Sequence, residues 1–361
     1  MNSNFFLLKP LRILLFPFSV LFGLALWVRN LCFDKHLLAS LSFNLPVVCI
    51  GNLAVGGTGK SPMVEFLLKK LRGKFQLAVL SRGYKRKTRG YALASDNSTA
   101  LDIGDEPMQF HSKFPEVTIA VGEERLVAIP LLLHDRPHTD AIILDDAFQH
   151  RWVKAGLNIL LTDYSNLYTR DWFLPTGDLR DEKRSYRRAD LLVVSKCPKD
   201  LPPTERASIE RELNPRPGQE VFYSTIQYGA MYHLFRRDHL RIGHGREVLL
   251  VAGIANPAPL KKWLEGHSRA YYEMAYGDHH IYSIDDLREI VSRFEAIEAR
   301  DKIVLTTEKD AMRLLKFEQV LRDLPIYVLP IESVFLFDGD QRFTDIITNF
   351  IREFRTPSPQ A

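Results

Sequence analysis

The sequence predicts an α/β protein: a doubly wound parallel sheet, a second and smaller α/β domain, and a hydrophobic membrane-associated helix at the N-terminus. Three observations predict it. Short apolar runs bounded by turn residues recur between residues 47 and 329, with amphipathic stretches between several of them, the alternation that builds parallel sheets covered by helices. A glycine cluster separates the first of these runs from the first helical stretch, and residues 5–28 are almost wholly apolar. A chain of 361 residues with 46% apolar content is long enough for two domains, each with a real core.

The N-terminal segment comes first. An unbroken apolar block covers residues 13–28, preceded by Lys9, Pro10 and Arg12 and closed by Arg29 and Lys35. It is shorter than the roughly 20 residues a spanning helix prefers, and it contains Pro17. Residues 1–40 therefore read as an anchor inserted in, or lying on, a membrane. A buried hydrophobic hairpin and a cleaved signal peptide are the alternatives, the latter opposed by the lack of a small-residue cleavage site. Cys32, Cys49 and Cys197 are odd in number and far apart, which fits a reducing compartment. A net charge of +4 is too mild for a dedicated nucleic-acid binder.

Residues 47–71 read VVCIGNLAVGGTGKSPMVEFLLKKL. Residues 47–50 suit a buried parallel strand and 65–70 have helical spacing, so the glycines sit at a strand-to-helix turn. There Gly56, Gly57, Thr58 and Gly59 let backbone N–H groups converge on phosphate oxygens at the positive end of a helix. Lys60 supplies charge for the β- and γ-phosphates, and Ser61 is placed to ligate Mg²⁺. This is a P-loop, with Ala54 where the strict pattern has glycine, a change tolerated if that residue keeps a negative φ. Pro62 costs little in a first turn. Further strands are expected at 77–80, 117–121, 141–144, 158–161 and 191–194, with a helix at 123–133. A second set covers 247–252, 303–306 and 326–329, with a helix at 259–265. The domains are accordingly 41–225 for the P-loop domain and 226–361 for the smaller one. Residues 221–228 are read as strand and linker, 198–203 as a loop, and 356–361 as a disordered tail.

The run AIILDDAFQHR ends an apolar strand with Asp145 and Asp146, and beside a P-loop either acid can reach the Mg²⁺ shell. In LDIGDEPMQF, Asp105 reads both as the N-cap of a helix carrying Pro107 and as a proton acceptor for a substrate hydroxyl, roles that can coexist. In YGDHHIY, zinc would need further ligands that the sequence does not supply. A histidine that orients a carboxylate base across a cleft is the better functional reading. The basic segments SRGYKRKTRGY and PTGDLRDEKRSYRRAD are either solvated surface or a seat for an anionic lipid headgroup. The position that reads guanine in GTPases holds Ser195-Lys196-Cys197-Pro198, which lacks the required acid, so ATP is the expected nucleotide.

Taken in order, VVCIGNLAVGGTGKSP, LSRGY, GDEP, LDDAFQHR, PTGDLR, RRADLLVVSK, VAGIANP, GDHHIY and TTEKDAMRL resemble the tetraacyldisaccharide 4′-kinase family of lipid A biosynthesis. The resemblance runs from the apolar N-terminus to about residue 315. It implies transfer of the ATP γ-phosphoryl group to the 4′-hydroxyl of a tetraacyldisaccharide 1-phosphate, giving lipid IVA at the cytoplasmic face of the bacterial inner membrane. It also implies an active site between two α/β domains, ATP and Mg²⁺ as cofactors, a lipid substrate at the membrane surface, and neither a nucleic-acid nor a protein partner. By this resemblance Asp105 is the general base, His279 its partner and Lys60 a catalytic cation. Ser61, Asp145 and Asp146 serve the metal, and Arg82, Tyr84, Gln149, His150 and Arg180 the substrate. Ser61 stands for the usual threonine, and Asp181-Glu182 for the usual Glu-Pro. A membrane-tethered P-loop ATPase that moves or switches without phosphorylating lipid is the alternative function.

Overall fold

A computed structural model of the chain describes residues 12–240 and 243–354. The proposed tail at 356–361 and the first residues of the anchor lie outside these. In chain order the strands are β1 (Val47–Asn52), β2 (Leu77–Ser81), β3 (Ala92–Leu93), β4 (Thr118–Val121), β5 (Ala141–Asp145), β6 (Leu157–Asp163), β7 (Leu191–Ser195) and β8 (Glu220–Tyr228). They continue as β9 (Met231–His233), β10 (His239–Leu240), β11 (Glu247–Ala252), β12 (Ala270–Ala275), β13 (Lys302–Thr307), β14 (Ile326–Leu329) and β15 (Ile331–Phe335). One sheet has the order β15-β8-β7-β6-β1-β5-β2-β4-β3 and the other β10-β9-β14-β13-β11-β12.

The first sheet is parallel from β8 through β4, with antiparallel β15 and β3 at its edges. β1 lies at its centre and is buried on both faces, which is why Val47–Asn52 reads as a continuous apolar run rather than an alternation. The second sheet is parallel through β12, β11, β13 and β14.

The boundary expected at residue 226 needs correction, because the chain returns to the first sheet. β15 pairs antiparallel with β8, covering an edge that would otherwise stay open. The helix Gly339–Arg352 then packs Phe343, Ile347 and Ile351, one apolar stripe at four-residue spacing, into the core around Phe66, Phe222 and Phe335.

The N-terminal helix Phe16–Asp34 is long and apolar enough to cross a membrane by length and composition. Phe18, Leu21 and Leu24 are each more than half exposed. Its other face is bonded to the body from end to end. Ser19 Oγ donates to Thr176 Oγ1 at 2.7 Å, and Gly23 lies against the Phe173 ring, where a Cβ would come within 2.7 Å. Arg29 donates to the Gln149 carbonyl at 2.6 Å, and Asp34 pairs with Arg151 at 2.6 Å. Between them, buried Asn30 donates to Asp181 Oδ1 at 2.9 Å and to Glu182 Oε2 at 2.7 Å. The unusual acid pair is thus a socket for the helix, with Arg188 balancing Asp181 at 3.0 Å.

Candidate active site

The loop after β1 needs glycine at two places: Gly56 has φ 100° and Gly59 φ 82°, values that L side chains resist. Ala54 is not among the positive-φ residues, so its methyl is accommodated. Helix Lys60–Leu71 follows directly, and its first-turn N–H groups have no intrahelical acceptor. The loop is held in shape from below. Asn52 Nδ2 donates to Thr58 Oγ1 at 2.8 Å, and Ser195 Oγ, at the end of β7, donates to the Thr58 carbonyl at 2.8 Å.

Two acids face this loop from the end of β5. Asp145 is buried and accepts from Ser81 Oγ at 2.9 Å. Burial, reinforced by the charge of Asp146, pushes its carboxyl up to about 6. Asp146 adopts φ 50°, a left-handed turn that aspartate tolerates. It pairs with Lys60 Nζ at 3.5 Å and with Arg180. Burial works to raise its carboxyl too, but Lys60 and Arg180 outweigh that and hold it below the usual range. Burial lowers the Lys60 ammonium. Two adjacent carboxylates, one of them reluctant to ionise, and the hydroxyl of Ser61, the residue after Lys60, offer hard-oxygen donors of the kind Mg²⁺ takes. Among the described residues no group of three or more acids, histidines or cysteines is arranged to hold a metal ion by itself.

The expectation that Asp105 caps a helix is corrected. The N-cap is Gly104, at φ 95° and ψ 161°, and Asp105 is the first residue of helix Asp105–Lys113. Gly104 backs onto Gly83 so closely that a Cβ would sit 3.2 Å from its backbone. The β2 loop therefore fixes where this helix starts. Asp105, 8% exposed, turns its side chain toward the second sheet. Its Oδ2 lies 2.7 Å from His279 Nδ1 and accepts from Arg313 Nη2 at 2.7 Å and Nε at 3.0 Å. His279 follows β12 and has φ 60°. The adjacent His280 turns away to Asp286 at 3.0 Å. Burial works to raise the Asp105 carboxyl, but the bonds from His279 and Arg313 hold it below the usual range. A cavity of about 340 Å³ opens here, lined by Asp105, His279, Tyr84, Lys85 and Arg313 among others.

The predicted substrate residues fall at three places. Tyr84, 59% exposed, stands edge-on to His279 with ring centroids 5.5 Å apart, and Arg82 is exposed two residues before it. Gln149 and His150 lie instead beside the N-terminal helix, and Gln149 Nε2 donates to the Asn52 carbonyl at 2.6 Å. Burial among Arg125, Arg29 and Arg82 pushes His150 down to about 4. Arg180 reaches both Asp146 and Asn52 Oδ1, the latter at 2.6 Å, and so joins the phosphate-loop cluster. Sequence reasoning missed Arg313, Ser81, Asn52 and Ser195. Ser81, Asn52 and Ser195 end strands β2, β1 and β7, where open α/β sheets place their sites, and Arg313 lies on the helix that follows β13.

Residues 11–352 match the LpxK family, described as tetraacyldisaccharide-1-P 4′-kinase. The chain is 43% identical to the tetraacyldisaccharide 4′-kinase of Bacteroides thetaiotaomicron, over 94% of this chain and 93% of that one. It is 42% identical to the one from Flavobacterium johnsoniae, over 96% and 99%. A crystal structure of LpxK from Aquifex aeolicus in complex with ATP superposes with a TM-score of 0.76 at 28% identity, covering 94% of this chain and 99% of that one.

Proposed function

The chain belongs to the tetraacyldisaccharide-1-P 4′-kinase family, and from that premise we propose how its residues carry out transfer of the ATP γ-phosphoryl group to the 4′-hydroxyl of a tetraacyldisaccharide 1-phosphate. The observation that carries the reading is the meeting of Asp105 from the first sheet's helix with His279 from the second sheet, at 2.7 Å, beside a cavity. Phosphoryl transfer leaves the protein little covalent chemistry, so alignment and charge neutralisation dominate. The loop N–H groups and Lys60 hold the β- and γ-phosphates. Ser61, Asp145 and Asp146 would hold Mg²⁺, which when bound would supply further neutralisation of phosphate charge. Asp105 accepts the proton of the sugar hydroxyl and His279 orients it. Arg82 and Tyr84 serve the substrate beside the cavity, Gln149 and His150 serve it from the side of the N-terminal helix, and Arg180 acts beside Asp146 at the phosphate loop.

The experiment supplies ATP labelled at the γ-phosphate and detergent-dispersed tetraacyldisaccharide 1-phosphate. Label is expected in the organic-extractable lipid. Label found only as free phosphate would overturn the reading in favour of an ATPase switch.

We infer further that the N-terminal helix lies on the cytoplasmic membrane surface rather than crossing the bilayer. Ser19, Arg29, Asn30 and Asp34 bond this 19-residue helix to the body from its first turn to its last. Spanning would drag Asp181, Glu182 and Arg151 into hydrocarbon, at a cost of several kcal/mol for each exposed polar group. Lying flat buries only Phe18, Leu21, Leu24 and their neighbours. Leu21→Ser combined with Leu24→Ser removes about 1–2 kcal/mol of lipid contact at each position, or on the order of 10²-fold in vesicle binding. Co-sedimentation with vesicles checks this, with the ATP Kd expected to stay unchanged. Undiminished sedimentation places the membrane contact elsewhere.

A further inference from the structure

We propose that Arg313 is a positioning residue that fixes the Asp105 carboxylate from the second sheet and presents its Oδ1 to the cavity. The proposal rests on the reading of Asp105 as the proton acceptor. A structural arginine–carboxylate pair commonly straddles both oxygens, fork to fork. Here Arg313 Nη2 and Nε both donate to Oδ2, where His279 Nδ1 also lies. Among the described residues, Oδ1 has no protein partner, and Asp105 lines the cavity.

Arg313 is in turn held. Its side chain is 6% exposed, and Nη1 donates to Asp310 Oδ1 at 3.2 Å and to the His280 carbonyl at 3.3 Å. Asp310 is fully buried and accepts from Gly253 N at 3.0 Å, Thr307 Oγ1 at 2.7 Å and Tyr282 OH at 3.1 Å. The guanidinium is therefore fastened to the ends of β11 and β13 before it reaches Asp105, 208 positions away in sequence. A buried ionic chain is a poor way to gain stability, because desolvation offsets most of its attraction. It is a good way to set the angle of one carboxylate across a cleft.

The groups that bear on Asp105 come from every neighbouring element. Asp278 and His279 follow β12, Lys309, Asp310 and Arg313 lie on helix Glu308–Leu314, and Tyr282 precedes the next helix. Glu106, paired with Lys309 at 2.6 Å, is next along the helix of Asp105. Tyr84, Lys85, Asp96 and Lys316 are the other titratable groups on the cavity wall. Of these, Arg313 and His279 make the direct bonds that favour the ionised carboxylate.

The test compares Arg313→Gln, Arg313→Lys and Asp105→Asn with the unaltered chain, reading kcat and KM from pH 5 to 9. Arg313→Gln is expected to lower kcat about 10- to 100-fold with the KM for ATP unchanged. Its acid limb should move to higher pH by about one unit, since removing an opposite charge raises a carboxyl. Arg313→Lys keeps the charge but not the side-on fork, so kcat should fall between the two while the acid limb stays close to that of the unaltered chain. A merely structural arginine would lower the folded fraction and leave the limb in place. If Arg313→Gln does not fold, Arg313→Lys decides: a threefold or larger loss in kcat supports the proposal, and unaltered kcat overturns it. Normal kcat and an unmoved limb in Arg313→Gln, with Asp105→Asn inactive, overturn this proposal alone. Full activity in Asp105→Asn overturns the reading of the base on which it rests.

Discussion

Lys60→Ala abolishes phosphoryl transfer, with an expected loss of at least about 10³-fold in kcat, while the protein stays folded. Lys60 follows directly on Gly59, and its ammonium lies 3.5 Å from Asp146. Burial lowers this ammonium, while Asp146 and Asp145 favour its charge. Asp146 keeps Arg180 when the lysine is removed, so folding loses no sole counter-charge. The phosphates lose theirs. Turnover with saturating ATP, beside a thermal melt, checks the prediction. A melting temperature within a few degrees of the unaltered chain together with lost transfer is the expected pair of results. Near-normal turnover would remove the P-loop assignment, since the backbone N–H groups alone would then be sufficient.

The P-loop and the parallel strands were legible because their signals are local. β1, β5 and β7 are buried on both faces and begin as apolar runs, and a glycine turn between such a run and a helix has few other uses. The return of β15 and helix Gly339–Arg352 to the first sheet was not legible. Nothing in the local pattern of 331–352 says which of two sheets has an open edge. Asn30 carried a signal that went unused: an amide within an apolar helix needs a buried partner, and the departure at Asp181-Glu182 supplies it. Arg313 was hidden differently. At three residues after Asp310 it reads as an ordinary helical ion pair, and only the approach of the second sheet brings it to Asp105. The cap reading of Asp105 failed because Gly104, with its positive φ, already supplies the break that starts the helix.

Asp105→Asn is expected to lower kcat by about 10²- to 10⁴-fold, the range for loss of a positioned proton acceptor. The amide oxygen can still accept from Arg313, so the side chain can keep its place, but it cannot take a proton at neutral pH. Stability also falls. Asp105 caps nothing, yet its charge faces an Arg313 side chain that is only 6% exposed. Breaking a buried pair by neutralising one partner costs about 3–5 kcal/mol, less here because Asp310 still faces Arg313 at 3.2 Å. A melting shift of several degrees is therefore expected, and rates must be taken per folded molecule, counted by ATP binding. His279→Ala leaves the carboxylate and Arg313 in place and is expected to cost less. If His279 acts only by orienting Asp105, the double variant is little slower than Asp105→Asn alone, because groups serving one step do not add. Turnover of the two single variants and the double, with saturating ATP and detergent-dispersed lipid, measures this directly. Multiplicative losses would separate His279 from Asp105 and give the histidine a contact of its own with the substrate. Unchanged turnover in Asp105→Asn would leave the carboxylate with a purely structural task, holding Arg313 at the boundary of the two sheets.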